Sequence, residues 1–376
     1  MSRLLCLALI FFALNGTGCY YSHLASGQLK LLWRRQPITE AATDPANSEE
    51  IREMLELVEF IRVFAHDLGL RVDDQYTSFV DWPGDRIVTT LVRTRPGSLE
   101  VVPHWFPILG SLPYKGYFDR ERAEAEATRL RVEDGFEVCV SGIRAYSTLG
   151  WFADPVTSPM LEHGAASLVE TVLHELVHAT AFLRDEATFN ESVAEFIGRR
   201  AAIQFFEQQP SSLGFDLPDA DDLRDGFADR QAISSVILAF KARIMAIEKD
   251  SDRIEQRIEI ESEARAQLAA LPLRIYDPIV VADKARLSNP CLALRGTYLD
   301  DAPRHARVLA ALDGDLSAMI ARLSAWADAG RSAEDFYSLA GPRVESPIGS
   351  DSDSSGDSFG DSSGDAANRE IDQREP

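Results

Sequence analysis

His174-Glu175-Leu176-Val177-His178 sets two imidazoles four residues apart, and on a helix that spacing stacks them one above the other on a single face. Two neutral ring nitrogens so placed can grip one metal ion, and Zn²⁺ is the ion such sets usually hold. Glu175, one position after the first His, then leans toward a water on the metal and can take its proton. The pentad therefore predicts a helix and, built on it, a zinc-dependent hydrolytic centre. The competing reading is a buried helix that happens to carry two His.

A catalytic zinc usually keeps three protein ligands and leaves one position open. Downstream of His178, Asn190-Glu191-Ser192-Val193-Ala194-Glu195-Phe196 reads as the start of a second helix running to about Phe206. Glu191 is the candidate third ligand. Thr188-Phe189-Asn190-Glu191 also has the Ser/Thr-x-x-Glu form of a capping box, in which Glu191 would only cap the helix. Glu195 lies one turn further on the same face. It is placed to hydrogen-bond the outer nitrogen of a ligating His, to be the ligand itself, or to sit solvated.

The pentad's own helix is expected to begin at a second capping box, Ser167-Leu168-Val169-Glu170, with Glu170 as cap or as a partner one turn before His174. From there Leu168, Val169, Val172, Leu173, Leu176, Val177, Ala181, Phe182 and Leu183 put apolar side chains on nearly every face, the mark of a buried helix. Imidazoles and a carboxylate are costly on such a helix unless metal and water satisfy them.

Several longer blocks carry a resemblance. They are His174-Glu175-Leu176-Val177-His178, Phe189-Asn190-Glu191-Ser192, Ala145-Tyr146-Ser147-Thr148-Leu149-Gly150-Trp151-Phe152 followed by Asp154-Pro155, and Tyr114-Lys115-Gly116-Tyr117-Phe118-Asp119. Gly27-Gln28-Leu29 and Thr297-Tyr298 add to them. In these the chain resembles the predicted zinc aminopeptidases of bacteria, which look like relatives of the gluzincin metallopeptidases. The resemblance covers most of the mature chain. It implies a zincin-like fold, ligands at His174, His178 and Glu191, Glu175 as general base and a peptide substrate. Tyr146 and Tyr298 are its candidates for the donor that meets the oxyanion. The chain has no Gly-Ala-Met-Glu-Asn segment of the kind that captures a substrate amine, so amino- versus endopeptidase action stays open. A catalytically silent zinc-fold lipoprotein, acting as a binding or scaffold module, is the alternative of a different class.

Arg3, the apolar run Leu4 to Leu14 and the small residues ending Gly16-Thr17-Gly18-Cys19 read as a secretory signal closing on a lipidated Cys19. The run is too short to span a bilayer. Tyr20 is not the Asp associated with inner-membrane retention, so the expected location is the bacterial outer membrane, facing the periplasm, with lipid on Cys19 as the membrane contact. Ordinary signal cleavage is the rival. Cys139 and Cys291 then remain; they could pair in an oxidising compartment, or Cys139 could be a plain buried strand residue. No Cys-x-x-Cys spacing offers a thiolate metal site.

Apolar residues make up 45% and charged residues 26% of the chain, with a net charge of −22. That is an ordinary globular balance, but the acid excess argues against nucleic acid, which demands clustered Lys and Arg. Residues 343–376, rich in Ser, Gly and Asp, read as a disordered tail after a peptidase domain over residues 20–342. The domain reads as α+β and mostly helical, with a small antiparallel sheet and a long helical hairpin. A helix is expected from about Ser48 to Leu68 and a charged one around Asp119 to Glu133. Strands are expected over Arg86 to Arg93, Ser98 to Phe106 and Phe136 to Ala145. Ile233, Ile237, Phe240, Ile244, Ile247, Ile254 and Ile258 mark one long amphipathic helix packing as a hairpin.

Overall fold

A computed structural model of the chain describes residues 20–106, 110–144, 153–184, 186–208, 217–247, 253–293 and 301–340. Cys19, the block 145–152 with Tyr146, the pair Thr297-Tyr298 and the tail 343–376 lie outside the described residues. A helix over residues 20–33 (α1) leads to β1 (Gln36–Pro37), α2 (Ile38–Thr43) and α3 (Glu49–Leu68). A β-rich stretch follows with β2 (Ser78–Val80), β3 (Val88–Thr94), β4 (His104–Phe106), β5 (Gly110–Leu112), β6 (Lys115–Tyr117), α4 (Arg120–Val132), β7 (Glu137–Ile143) and β8 (Val156–Thr157). The remainder is helical: α5 (Ser158–Leu161), α6 (Gly164–Thr180), α7 (Ala187–Gln208), α8 (Ala220–Ala246), α9 (Arg253–Ala269), α10 (Pro278–Lys284) and α11 (Asn289–Ala293), then α12 (Ala302–Ala311), α13 (Leu316–Asp328) and α14 (Ala333–Phe336). The described chain is thus a mostly helical α+β structure with small sheets, and no described helix is long and apolar enough to cross a membrane.

Local chemistry sets several boundaries. The Ser48 hydroxyl accepts from the Ile51 N–H and starts α3, which Gly69 ends at φ +97, a conformation that costs a residue with a Cβ about 1 kcal/mol or more. Asp119 caps α4 through the Arg122 N–H, so the charged helix lies where its sequence places it. In the sheets, β3 pairs antiparallel with β6 and, over seven residues from Val88↔Ile143 to Thr94↔Glu137, with β7. β2 sits between β1, antiparallel, and β8, parallel. β4 and β5 form a separate hairpin.

Three expectations are corrected. Of the strand sought over Ser98 to Phe106, only β4 and an isolated bridge from Val101 to Thr94 form, because Pro103 has no N–H to give a ladder. The Ser167–Glu170 capping box does not start α6. That helix begins at Gly164, whose φ of +76 lets the chain turn into it, so Ser167 is already helical. The same helix stops at Thr180, leaving Phe182 exposed. The isoleucine stripe, expected on a long helix packing as a hairpin, falls on two helices, α8 and α9, that do pack on each other. Ile237, Phe240 and Ile244 meet Ala264 and Leu268 in its core, whereas Ile254 and Ile258 are 73% and 65% exposed. A period carried through a chain reversal loses its phase.

The main core joins α3, α6, α7 and α13 through fully buried side chains such as Leu55, Ile61, Leu168, Leu173, Ile197, Phe205 and Met319. Each such side chain contributes roughly 1.5–3 kcal/mol. A disulfide between Cys139 on β7 and Cys291 on α11 ties the larger sheet to the helical part across 152 residues of sequence.

Candidate metal centre

His174 and His178 share one face of α6, their rings 4.8 Å apart and nearly perpendicular. Their Nε2 atoms stand 3.1 Å apart. From α7, Glu191 brings one carboxylate oxygen to 3.6 Å from His174 Nε2 and the other to 3.5 Å from His178 Nε2. Atoms bound at about 2.0–2.1 Å to one tetrahedral zinc stand roughly 3.3–3.4 Å from one another. The two Nε2 atoms and the two Glu191 oxygens are spaced on that scale, and with one ligand atom from each residue the three lie within 4.8 Å of one another, a group that could hold a metal ion.

Long-range packing makes this convergence. Gly198 lets α7 press against α6 beside His174. The short connection between the helices is clamped by buried Asn190, which accepts from the Leu183 N–H at 2.9 Å and donates to the Leu183 carbonyl at 2.7 Å. Thr188 already lies inside α7, and Glu191, one turn on, faces the imidazoles. Behind it, Ser192 Oγ lies 3.0 Å from Nε2 of His305, and the Tyr337 hydroxyl lies 3.1 Å from the same atom. His305 is fully buried, and burial, together with Arg304, pushes its pKa down to about 3, leaving it neutral.

His174 and Glu191 are electrostatically coupled. Burial works against a charged His174, yet the carboxylates of Glu191, Glu175 and Glu195 outweigh it and raise its pKa. Burial likewise opposes ionisation of Glu191, but hydrogen bonds from His174 and His178 hold its carboxyl well below the usual range. Glu195 is engaged by Arg199, and Arg199 also donates to Glu170 at 3.3 Å. Arg230 grips the same Glu170 at 2.8 Å. Glu170 thus anchors an ionic ladder rather than a helix cap. The outer nitrogen of His178, Nδ1, is buried without a hydrogen-bond partner among the described residues, so the carboxylate contact expected from Glu195 is not seen there.

Two expected donors, Tyr146 and Tyr298, fall outside the described residues. Sequence reasoning passed over Tyr76, a buried residue held at φ +58, a conformation rare for a bulky side chain and often found at functional sites. Its N–H donates to the Asp154 carbonyl at 2.8 Å, while Asp154 N–H donates to Gln75 Oε1 at 2.7 Å. Burial, then the charges of Glu175 and Asp154, push the Tyr76 phenol well above its usual pKa. Tyr76 therefore lies within electrostatic reach of Glu175 as a neutral phenol. Nothing local marks it: the signal is a backbone angle.

The model of the family described as "Putative aminopeptidase" matches residues 19–336, most of the chain, and the protein belongs to that family. Among curated proteins and solved structures none matches the chain.

Proposed function

We propose that this member of the putative aminopeptidase family hydrolyses peptide bonds at a zinc ion held by His174, His178 and Glu191, with Glu175 as general base. The convergence of the three donor groups at 3.1 to 3.6 Å, beside Glu175, is the observation that carries the reading. Zinc at such a site supplies Lewis acidity, making a water acidic and a carbonyl electrophilic. Glu175 takes the proton of the attacking water and returns it to the leaving amine. A neutral phenol is suited to donate to the carbonyl oxygen as charge develops; Tyr76, Tyr146 and Tyr298 are the candidates. Glu195 acts by fixing Arg199 and shaping the flank of the site.

Metal analysis of protein lacking residues 1–19, joined to turnover of a peptide library, tests the reading. About one zinc per chain with cleavage of peptides is expected. Stoichiometric zinc without turnover would assign the protein to the binding-module class instead. Attachment through lipid on Cys19 to the bacterial outer membrane, facing the periplasm, is proposed as well, supported by the apolar run before it and the small residues at its end. A Cys19→Ser variant that stays in the membrane fraction as firmly as wild type would sink it.

A further inference from the structure

The two sulfurs of the Cys139–Cys291 disulfide have unlike surroundings. Cys139, on β7, is only 5% exposed, whereas Cys291, on α11, is half-buried. A guanidinium stands against the buried sulfur. Arg286 Nη2 lies 2.9 Å from Cys139 Sγ and also donates to the Val140 carbonyl, while its Nη1 donates to Ser141 Oγ at 3.1 Å. Ser141 Oγ is itself 3.8 Å from Cys139 Sγ. None of these partners of Arg286 carries a charge, so among the described residues its own is not neutralised. The carbonyl and the hydroxyl hold the guanidinium in place independently of the sulfur.

In thiol–disulfide exchange a thiolate attacks one sulfur and the other departs with the electron pair. The rate follows access to the attacked sulfur and the stability of the departing thiolate. A neighbouring Arg stabilises a thiolate, while apolar burial disfavours it. Here access selects Cys291 for attack, and Arg286 favours Cys139 as the group that leaves. Both effects give the bond the same direction of cleavage.

We infer that Cys291 is a site of thiol exchange, with a small thiol of the glutathione class as its reactant. The incoming thiolate bonds to Cys291 Sγ as the Cys139–Cys291 bond breaks, and the electron pair goes to Cys139 Sγ beside Arg286 and Ser141. A second thiolate then attacks the small molecule's sulfur in the mixed disulfide, releasing the oxidised small-molecule dimer and a Cys291 thiolate that takes a proton from water. The protein disulfide is reduced by two electrons, which two small thiols supply. The 152-residue separation that the bond spans includes His174, His178 and Glu191, so exchange removes or restores a covalent restraint on the segment carrying the candidate metal centre. The inference goes beyond peptide hydrolysis and stands without it.

Brief exposure of the purified protein to reduced glutathione, quenching with iodoacetamide and peptide mass spectrometry test the direction of attack. Glutathione should be found on Cys291 and the alkyl group on Cys139. Equilibration in glutathione redox buffers then measures how readily the bond opens. Arg286→Gln should shift that equilibrium toward the disulfide by about tenfold, the scale of one hydrogen bond to a charged group, and should slow the first attack. Arg286→Lys, which keeps the charge, should shift it less. A merely structural role for Arg286 gives the opposite sign, because loosening α11 from β7 would expose the bond and speed its cleavage. Glutathione mainly on Cys139, opening in Arg286→Gln as easy as or easier than in wild type, or free thiols at both positions in protein purified without reductant would each overturn the inference.

Discussion

Gly198 of α7 lies directly against the backbone of His174: a Cβ at this position would stand 3.1 Å from both the N and the Cα of His174. Few Cβ contacts are that tight, and backbone in a helix cannot swing aside as a flexible side chain can. The absent methyl group thus permits the close spacing between the two helices that carry His174, His178 and Glu191. Glu191 rides on α7 and the two His on α6, so their separation is set at the same place.

Gly198→Ala should accordingly push α7 away from α6 and weaken metal binding. Overpacking of this kind costs about 1–3 kcal/mol. Zinc titration followed by thermal melting of the metal-free protein is the check. Undiminished affinity would mean that the helices absorb the methyl group elsewhere.

Glu191→Ala should empty or strongly weaken the centre, since it removes one of the three proposed ligands. Loss of a helix cap alone would cost about 0.5–2 kcal/mol of stability and leave metal in place. A variant that melts earlier yet binds zinc as tightly as wild type would return Glu191 to a structural role.

With Glu175→Gln the shape of the side chain is kept and its proton affinity lost. Metal content should be unchanged and turnover should fall by roughly 10²–10⁴, the range for a general base. Wild-type cleavage rates in this variant would remove Glu175 from the chemistry.

Tyr76→Phe deletes only a hydroxyl and leaves the strained backbone as it is. If the phenol donates to the developing oxyanion, kcat should fall by roughly 10²–10³ with little change in metal content. Unaltered kcat would pass the role to another donor.

Acid should destabilise the fold below about pH 6.5. His305 titrates near 3 when folded, whereas an unfolded imidazole takes its proton near 6.5. Between those values the unfolded chain binds more protons, so stability is lost as pH falls, by at most about 1.4 kcal/mol per pH unit for one proton. His104, lowered to about 4 chiefly by burial, acts in the same direction. His305→Gln, measured by denaturant midpoints of metal-free protein from pH 7 to 4, should show a shallower decline. A slope equal to wild type would place the acid sensitivity elsewhere.

What the amino-acid sequence determined by itself is what helical periodicity and side-chain chemistry dictate over a few residues. Two imidazoles at i and i+4 share a face because a helix has 3.6 residues per turn. Asp119 and Ser48 begin helices because a short side-chain acceptor meets a free N–H. The identity of the donors, two His and a Glu, and the family resemblance were legible for the same reason. Tertiary structure alone decided the rest. Glu191 came to lie beside His174 and His178 only where α7 packed on α6 at Gly198, and Cys139 met Cys291 only once β7 and α11 were brought side by side. The isoleucine stripe lost its phase between α8 and α9, and Tyr76 took up a left-handed angle that no local pattern encodes. Contacts between residues far apart in sequence depend on how whole elements pack, and a repeating pattern within one element carries no information about which partner will cover it.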